Sequence, residues 1–486
     1  MKKILLSLAV LSAATIGCTK LDEGLYDRQV ADQFYATPEG VNAALADIYN
    51  EIRGDWGGKG YAGADRGWFD LNETCTDELM LPTRSDGAWA DNGIWRQMYL
   101  HQWTSSQEFM NNTWNWLYRT IYKCNLAVDL LTKANAPEAA IAEAKVLRAF
   151  YYWMLMDGWG NIPFYTDINV TVDRVPQASR ATVYNFIETE LKANVDKLAT
   201  TKGGSYYGRF NKWAGYAFLA KLYLNAGVYT GTPKWAEAQA ATDVIINQGG
   251  FSLVNNYLSL FGDRCPDQEV ILAIFIDANQ APRNIIGIRS LAGPHGNALF
   301  GISTWNGATA HQDFINKYEN GDARKAQWLI GAQPGGITYD VNISSLTSAG
   351  IYEGARSAKF LPALPLAGNS SASNDFPIFR YADVLLMKAE CLVRTGNAAA
   401  AKALVDQIRS RAGLPASGTN PTLNDIFDER GRELCWEGHR RQDMIRFDRF
   451  TAAHDFKPVS DNKYKLFPIP APAFITNKSL VQNPGY

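Results

Sequence analysis

Apolar residues recur every three or four positions along most of the chain, a spacing that predicts α-helices. The segment TPEGVNAALADIYNEIR carries both the spacing and a start signal. Thr37 is the expected N-cap, Pro38 the first helical residue, and Ala44, Ile48 and Ile52 share one face. The same spacing predicts helices within residues 116–134, 137–160, 182–198, 209–227, 233–249, 380–396, 397–413 and from Leu423 to about Phe450.

Short connections between these helices predict that neighbours pack as antiparallel pairs. Gly227 and Gly249 stand at expected helix ends. Paired helices of this length, with small residues where they cross, are typical of tetratricopeptide-like hairpins, although the strict repeat consensus is absent. The predicted fold class is therefore mainly α, a scaffold of helix pairs.

Two regions, 54–106 and 251–376, depart from the helical pattern. The first is rich in Gly, Asp, Asn and Trp, and the second combines one strand-like run, EVILAIFID, with long Gly/Ser/Asn segments. Loops of this length in a compact protein are usually functional or disordered. Their many aromatic residues favour ordered, functional loops, because disordered linkers are poor in aromatics.

The first residues are typical of a lipoprotein export signal. Lys2 and Lys3 precede the apolar stretch 4–16, and Gly17 and Cys18 follow it. We interpret residues 1–17 as a signal peptide, Cys18 as an acylated lipid anchor, residues 18–30 as its tether and residues 31–486 as one domain. An ordinary signal peptide followed by a chance cysteine is the alternative.

Composition and motifs exclude several classes of function. A net charge of −2 argues against nucleic acid as a partner. The histidines and the scattered cysteines show no metal-ligand spacing, and no phosphate loop or nucleophile elbow is present, so no metal or cofactor is predicted. A glycosidase carboxylate pair stays open, because nothing marks out one pair of acids.

The strongest charge pattern is ERGRELCWEGHRRQDMIRF, which begins at Glu429. Its acids and arginines lie three or four residues apart, among apolar residues that would half-bury them. We interpret the cluster as an ion-paired lattice that fixes a helix crossing with Gly438 at the bend; an active site is the alternative. The structural residues of this motif are predicted to be Glu429, Arg432, Glu433, Glu437, Arg440 and Asp443.

This motif resembles the signature of the SusD/RagB family, surface glycan-binding lipoproteins of Gram-negative polysaccharide-utilisation systems. Four further stretches resemble family segments in the same order. They are LRAFYYWMLMDGWGNIP (147–163), KLYLNAGVYTGTPKWAEA (221–238), FPIFRYADVLLMKAECL (376–392) and LFPIPAPAFITNKSLVQNPGY (466–486).

The resemblance implies a helical scaffold of four tetratricopeptide-like pairs beneath a loop-rich ligand-binding face. It also implies a protein without catalytic activity, held on the outer membrane by acylated Cys18 and facing the exterior. There it would bind oligosaccharides and deliver them to a SusC-like TonB-dependent transporter, over which it forms a lid. The alternatives are a peptide-binding lid of a similar importer, a surface glycoside hydrolase and a helical scaffold that binds only protein.

Ligand-contacting residues differ among members of the family, so we predict them from local chemistry. Aromatic rings stack on sugar faces, and glycines beside a ring keep it accessible. Trp89 in SDGAWADNG, Asp65 and Trp68 in ADRGWFD, and Trp305 in GISTWNGA are the candidate ligand-binding residues. For each tryptophan the alternative is packing in the core.

Overall fold

The computed structural model describes residues 31–53, 60–63, 65–277, 284–363 and 372–486. The predicted signal peptide, Cys18 and the predicted tether lie outside these residues. The described chain forms helices α1 Ala31–Tyr35, α2 Pro38–Ile52, α3 Trp68–Glu73, α4 Ile94–Tyr99, α5 Glu108–Lys133, α6 Glu138–Trp159, α7 Arg180–Asn194, α8 Lys212–Leu224, α9 Ala226–Thr230, α10 Trp235–Gln248, α11 Ile286–Ser290, α12 Gly293–Phe300, α13 Gln312–Ile315, α14 Tyr381–Arg394, α15 Ala398–Arg411, α16 Leu423–Leu434, α17 Arg440–Arg446 and α18 Ala473–Thr476.

The mainly α fold class is confirmed. Helix α5 packs on α6, α6 on α7, α8 on α10 and α14 on α15. Helices α10 and α14 also contact each other, so the pairs form one continuous scaffold. The start of α2 follows the predicted chemistry, because the Thr37 side chain accepts a hydrogen bond of 3.1 Å from the backbone N–H of Gly40.

One predicted helix end is wrong. Gly227 lies inside α9, and the left-handed residue that ends this helix is Gly231. The bend predicted at Gly438 is present, and it divides the helical region from Leu423 to about Phe450 into α16 and α17, because Trp436 and Gly438 have φ of 58° and 81°. An α-helix cannot continue through left-handed residues, so the chain turns between α16 and α17.

Helix α6 is the centre of the hydrophobic core, and from Val146 to Trp159 it is buried on every side. The ring of Phe150 meets the rings of Phe210 and Phe218 edge-on, with centroids 5.4 Å away in both cases. Trp153 and Trp159 are buried in the same core. A helix without a polar face has to be surrounded by other elements, which explains why the pairs pack around it.

The strands are short and form antiparallel pairs. The predicted strand at EVILAIFID is present. Its partner strand ends at Arg380, directly before the helix that begins at Tyr381. The strands are β1 Ile162–Pro163, β2 Gln177–Ala178, β3 Val270–Ile274, β4 Trp328–Leu329, β5 Gly331–Gln333, β6 Ile337–Tyr339, β7 Arg356–Ser357 and β8 Phe376–Arg380. Residue Val270 pairs with Arg380 and Ile274 with Phe376.

Three further findings concern the described residues only. Their five cysteines are free and buried. No helix among them is long and apolar enough to cross a membrane. Within the same ranges, no three His, Cys, Asp or Glu side chains lie close enough together to hold a metal ion.

The charged motif lies in a buried network of ion pairs. Only some of its contacts are local, such as Arg432 to Glu429 at 2.5 Å; Arg440 reaches Asp77, 2.6 Å away. The half-burial predicted from the sequence is wrong, because the six motif residues are all buried. Buried charges are tolerated only when they are paired, so the network fixes how these segments meet.

Glu437 follows Glu433 by four residues, a spacing that predicts a shared helix face with Glu429 and Glu433. It lies beyond the end of α16 and therefore does not share a helix face with Glu429 and Glu433. Its carboxylate pairs with Lys359 at 2.7 Å and with Arg380 at 2.7 Å. The four-residue spacing is thus not the reason for its contacts, which come from distant segments.

A buried pair of carboxyl groups, Glu73 and Glu78, lies beside this network. The backbone N–H groups of Gly438 and Trp436 donate to them at 2.5 Å and 3.1 Å. Burial and the proximity of the two acids raise the pKa of Glu73 well above its usual value, and burial, with nearby Asp77, raises that of Glu78 to about 8. The pair therefore favours a protonated form.

We expect Glu78→Gln to remove part of the pH dependence of stability. A carboxyl pKa that is higher in the folded state stabilises the fold below about pH 4, and this contribution is lost as the pH rises toward 8. Between pH 5 and pH 9 the free energy of unfolding of the wild type should fall by roughly 2 to 4 kcal/mol more than that of Glu78→Gln. Urea unfolding at the two pH values measures this difference.

Glu237→Gln is the matched control, because Glu237 is exposed. Its unfolding free energy should follow that of the wild type at both pH values. A Glu78→Gln protein whose difference from the wild type is the same at pH 5 and pH 9 would contradict the prediction.

Candidate functional site

Trp89 lies on a loop before α4 and has a positive φ of 61°. Its indole N–H donates to the backbone carbonyl of Trp305 at 2.7 Å, and its ring meets the ring of Trp95 edge-on at 5.7 Å. A Cβ atom on Gly307 would lie 2.4 Å from the Trp89 ring, so only glycine fits there. The ring is thus partly exposed and fixed in place.

Trp305 is the second partly exposed ring of this region. Its backbone N–H donates to Ile288 of α11 at 3.0 Å, and the following Asn306 donates to Leu291 at 2.8 Å. The structure therefore brings together Trp89 and Trp305, which are 216 residues apart in the sequence. The two loops therefore meet at one surface, and each of them carries a partly exposed indole ring.

Asp65 and Arg66 form the charged edge of the same surface. The Arg66 guanidinium lies 3.4 Å from Asp65, 3.7 Å from Asp91 and 2.6 Å from Glu108. The Asp91 carboxylate also accepts from the indole N–H of Trp95 at 2.8 Å, which links this edge to the rings. Burial, followed by the nearby charge of Asp70, raises the pKa of Asp65.

Trp68 does not belong to this surface, and its prediction as a ligand-binding residue is wrong. The side chain is only 1% exposed. It points toward α6, where its ring lies 3.7 Å from the position that a Cβ on Gly158 would occupy. The glycine beside Trp68 in the sequence does not make the ring accessible, because α3 directs it into the core.

The backbone of the site is strained. Five non-glycine residues of these loops have positive φ values: Arg66, Trp89, Asp91, Asn92 and Asn306. Such conformations are uncommon outside glycine and tend to cluster at functional sites. The turn dipeptides Asn92-Gly93 and Asn306-Gly307 were available in the sequence as a signal for them.

Two buried arginines that the sequence analysis missed hold the loops together. Arg84 donates to the carbonyls of Asn306 at 3.0 Å, Gly307 at 3.0 Å and Glu353 at 2.8 Å. Arg356 donates to the same Glu353 carbonyl at 2.7 Å and to the Asn306 side chain at 2.8 Å.

Both guanidinium groups are almost fully buried. Burial lowers the pKa of Arg84 to about 10 and that of Arg356 well below its usual value. Neither arginine forms an ion pair with another described residue. Their guanidinium groups donate hydrogen bonds to carbonyl oxygens instead. They therefore connect the Trp89 loop, the Trp305 loop and the chain at 350–354.

Comparisons with known proteins agree with this architecture. A family model described as "SusD family" matches residues 350–486, and one described as "Starch-binding associating with outer membrane" matches residues 62–224. The chain is 27% identical to "Starch-binding protein SusD" of Bacteroides thetaiotaomicron, over 88% of this chain and 87% of that protein. It is 26% identical to "SusD-like protein P38" of Formosa agariphila, over 99% and 98%.

Solved structures show the same fold. A "Laminarin binding SusD-like protein" superposes with a TM-score of 0.76 at 23% identity, over 92% of this chain and 99% of that one. "Surface glycan-binding protein A from Bacteroides thetaiotaomicron in complex with laminarihexaose" superposes with a TM-score of 0.74 at 20% identity, over the same shares.

A helical scaffold that presents fixed aromatic and charged side chains on strained loops defines a class of binding protein. Within this class the chain belongs to the SusD/RagB family, as the sequence motifs predict. Members of the family bind ligands and do not transform them, so the chain is not an enzyme.

Proposed function

We propose that this protein binds oligosaccharides on the surface formed by Trp89, Trp305 and Asp65. The observation that carries the proposal is the partly exposed and fixed Trp89 ring, whose indole N–H donates at 2.7 Å to the backbone carbonyl of Trp305, the residue with the second partly exposed ring. Rings fixed before the ligand arrives lose little conformational freedom on binding, which favours affinity. Arg66 and its carboxylate partners supply donors and acceptors for sugar hydroxyl groups beside them.

The names of relatives support this class of ligand. They include a starch-binding protein, a laminarin-binding protein and a complex with laminarihexaose. Starch and laminarin are therefore the first polysaccharides to test, by affinity electrophoresis of the purified protein. Migration unchanged by a panel of polysaccharides, with binding of peptides instead, would contradict the proposal and favour a peptide-binding lid.

We expect Trp89→Ala to weaken oligosaccharide binding roughly tenfold, because one stacking surface of about 1 kcal/mol and its support of Trp305 are lost. Gly307→Ala should act similarly, since a Cβ there would displace the Trp89 ring without removing it. Isothermal titration calorimetry with laminarihexaose and maltohexaose measures both effects.

Trp235→Ala is the matched control for this prediction. Trp235 is partly exposed and lies under Arg394, on a helix of the scaffold. Its loss should leave the affinity unchanged. Equal affinities of Trp89→Ala and the wild type would move the site away from these loops.

The proposal extends to the location and the partner of the protein. It places the chain on the outer membrane, held by acylated Cys18 and facing the exterior, where it delivers oligosaccharides to a SusC-like TonB-dependent transporter. The family description that associates such proteins with the outer membrane supports this location. Protease added to intact cells should degrade the protein, and a large barrel protein should co-purify with it.

A further inference from the structure

A cleft of about 400 Å³ lies apart from the loops of Trp89 and Trp305. One wall is α2, and the other is formed by residues 207–209 and the end of β3. Its volume is in the range of small-molecule binding sites. We propose that this cleft is a second oligosaccharide-binding site, an inference that rests on the proposed function.

The α2 wall of the cleft presents amide side chains. Asn42, Ala46 and Asn50 follow one another at intervals of four residues, so they share one exposed face of the helix. The two amides are about 12 Å apart along the helix axis, since eight residues rise 1.5 Å each. The Asn42 amide offers a donor and an acceptor to sugar hydroxyl groups, and the Asn50 amide offers its N–H groups, because its oxygen already accepts from Arg53 at 2.5 Å.

The opposite wall presents an aromatic ring. Phe275 is 47% exposed, which makes it one of the large apolar side chains that the fold leaves in contact with water. The ring of Tyr207 meets it edge-on at 6.5 Å, and the Arg264 guanidinium lies 4.0 Å from the Tyr207 ring centre. Tyr207 is thereby held in place and supports Phe275, whose free ring face can stack on a sugar.

Buried contacts fix the floor of the cleft. The Tyr49 hydroxyl donates to Glu143 at 2.7 Å and accepts from the backbone N–H of Phe210 at 2.7 Å. Arg209 donates to both oxygens of the same carboxylate at 3.0 Å and 2.7 Å. Glu143 is itself buried, so these groups are organised before any ligand binds.

The charge of the cleft also differs from that of the first surface. Among the described residues the charged side chains that line it are Arg53 and Arg209, of which Arg209 pairs with the buried Glu143, whereas Asp65, Asp91 and Glu108 surround Arg66 at the first surface. Amides, guanidinium groups and one free ring suit a sugar chain, neutral or acidic, better than the apolar side chains of a peptide.

The test is calorimetric titration of the full-length protein with laminarihexaose and maltohexaose. The wild type should show two binding sites per chain, and Phe275→Ala should leave one. In the Trp89→Ala variant, whose first surface binds about tenfold more weakly, the cleft becomes the dominant site, and adding Phe275→Ala should weaken the remaining binding about tenfold. Asn50→Ala in the same background should weaken binding about fivefold.

Phe456→Ala is the matched control, because Phe456 is 40% exposed and does not line the cleft. It should leave both sites intact. The inference is overturned if Trp89→Ala binds equally with and without Phe275→Ala, while the proposed function stands. If Phe275→Ala loses all binding and Trp89→Ala keeps the binding of the wild type, the cleft stands as a binding site and the first surface is overturned. A wild type that binds only peptides, or nothing, overturns both.

Discussion

Arg380→Met should lower the free energy of unfolding by about 3–5 kcal/mol, the usual cost of removing one partner from a buried ion pair. Arg380 is buried and contacts three carboxylates: Glu433 at 2.5 Å, Glu437 at 2.7 Å and Glu269 at 3.1 Å. Without the guanidinium group each of these carboxylates loses one ion-pair partner but remains buried. Urea unfolding followed by tryptophan fluorescence measures the loss.

Arg119→Met is the control that separates burial from charge. Arg119 also pairs with a carboxylate, Glu51, at 2.6 Å, but its side chain is 42% exposed. Exposed pairs contribute about 0–1 kcal/mol, so this variant should unfold close to the wild type. Similar losses for the two variants would show that burial of the network around Arg380 does not determine its contribution.

Arg84→Met should lower the stability by about 2–4 kcal/mol and also weaken oligosaccharide binding. The change leaves buried carbonyl oxygens of Asn306, Gly307 and Glu353 without this donor, and unsatisfied buried acceptors cost about 1–3 kcal/mol each. Part of this loss is offset because a buried cation disappears. Binding should weaken because the loop that carries Trp305 loses its support.

Calorimetry and thermal unfolding of Arg84→Met should be compared with Arg148→Met. Arg148 is also buried and pairs with Glu190 at 2.8 Å, but on the scaffold helices α6 and α7. This control should lose stability and keep its affinity. Arg84→Lys should recover part of the affinity, since an ammonium group replaces some of the hydrogen bonds. Unchanged affinity in Arg84→Met would restrict Arg84 to a structural role.

The two arginines show what kind of functional residue sequence reasoning misses. Neither Arg84 nor Arg356 lies in a recognisable motif, and apart from the Asn306 side chain the partners described for them are main-chain carbonyls. Every residue has a main-chain carbonyl, so the residue types in a sequence do not indicate which carbonyl accepts such a hydrogen bond. Trp89 and Trp305 were predicted as ligand-binding residues because indole rings near glycines are themselves a chemical signal.

The charge motif shows a related limit. The spacing from Glu429 to Asp443 indicates ion pairing, and local pairs such as Arg446 with Asp443 at 2.7 Å do form. Other contacts of the network join distant segments, for example Arg440 with Asp77 at 2.6 Å. Spacing reports neighbours on one helix, whereas long-range pairs depend on how the helices pack.

The sequence by itself determined the helical class, the boundaries of most of the long scaffold helices and the family, because periodicity, caps and motifs are local properties of the chain. The tertiary structure decided which rings reach the surface. Trp68 and Trp89 have similar surroundings in the sequence, yet one points into the core and the other rests against Gly307. The exposure of a side chain depends on how its segment is oriented against the elements around it. Packing and long-range hydrogen bonds determine this orientation.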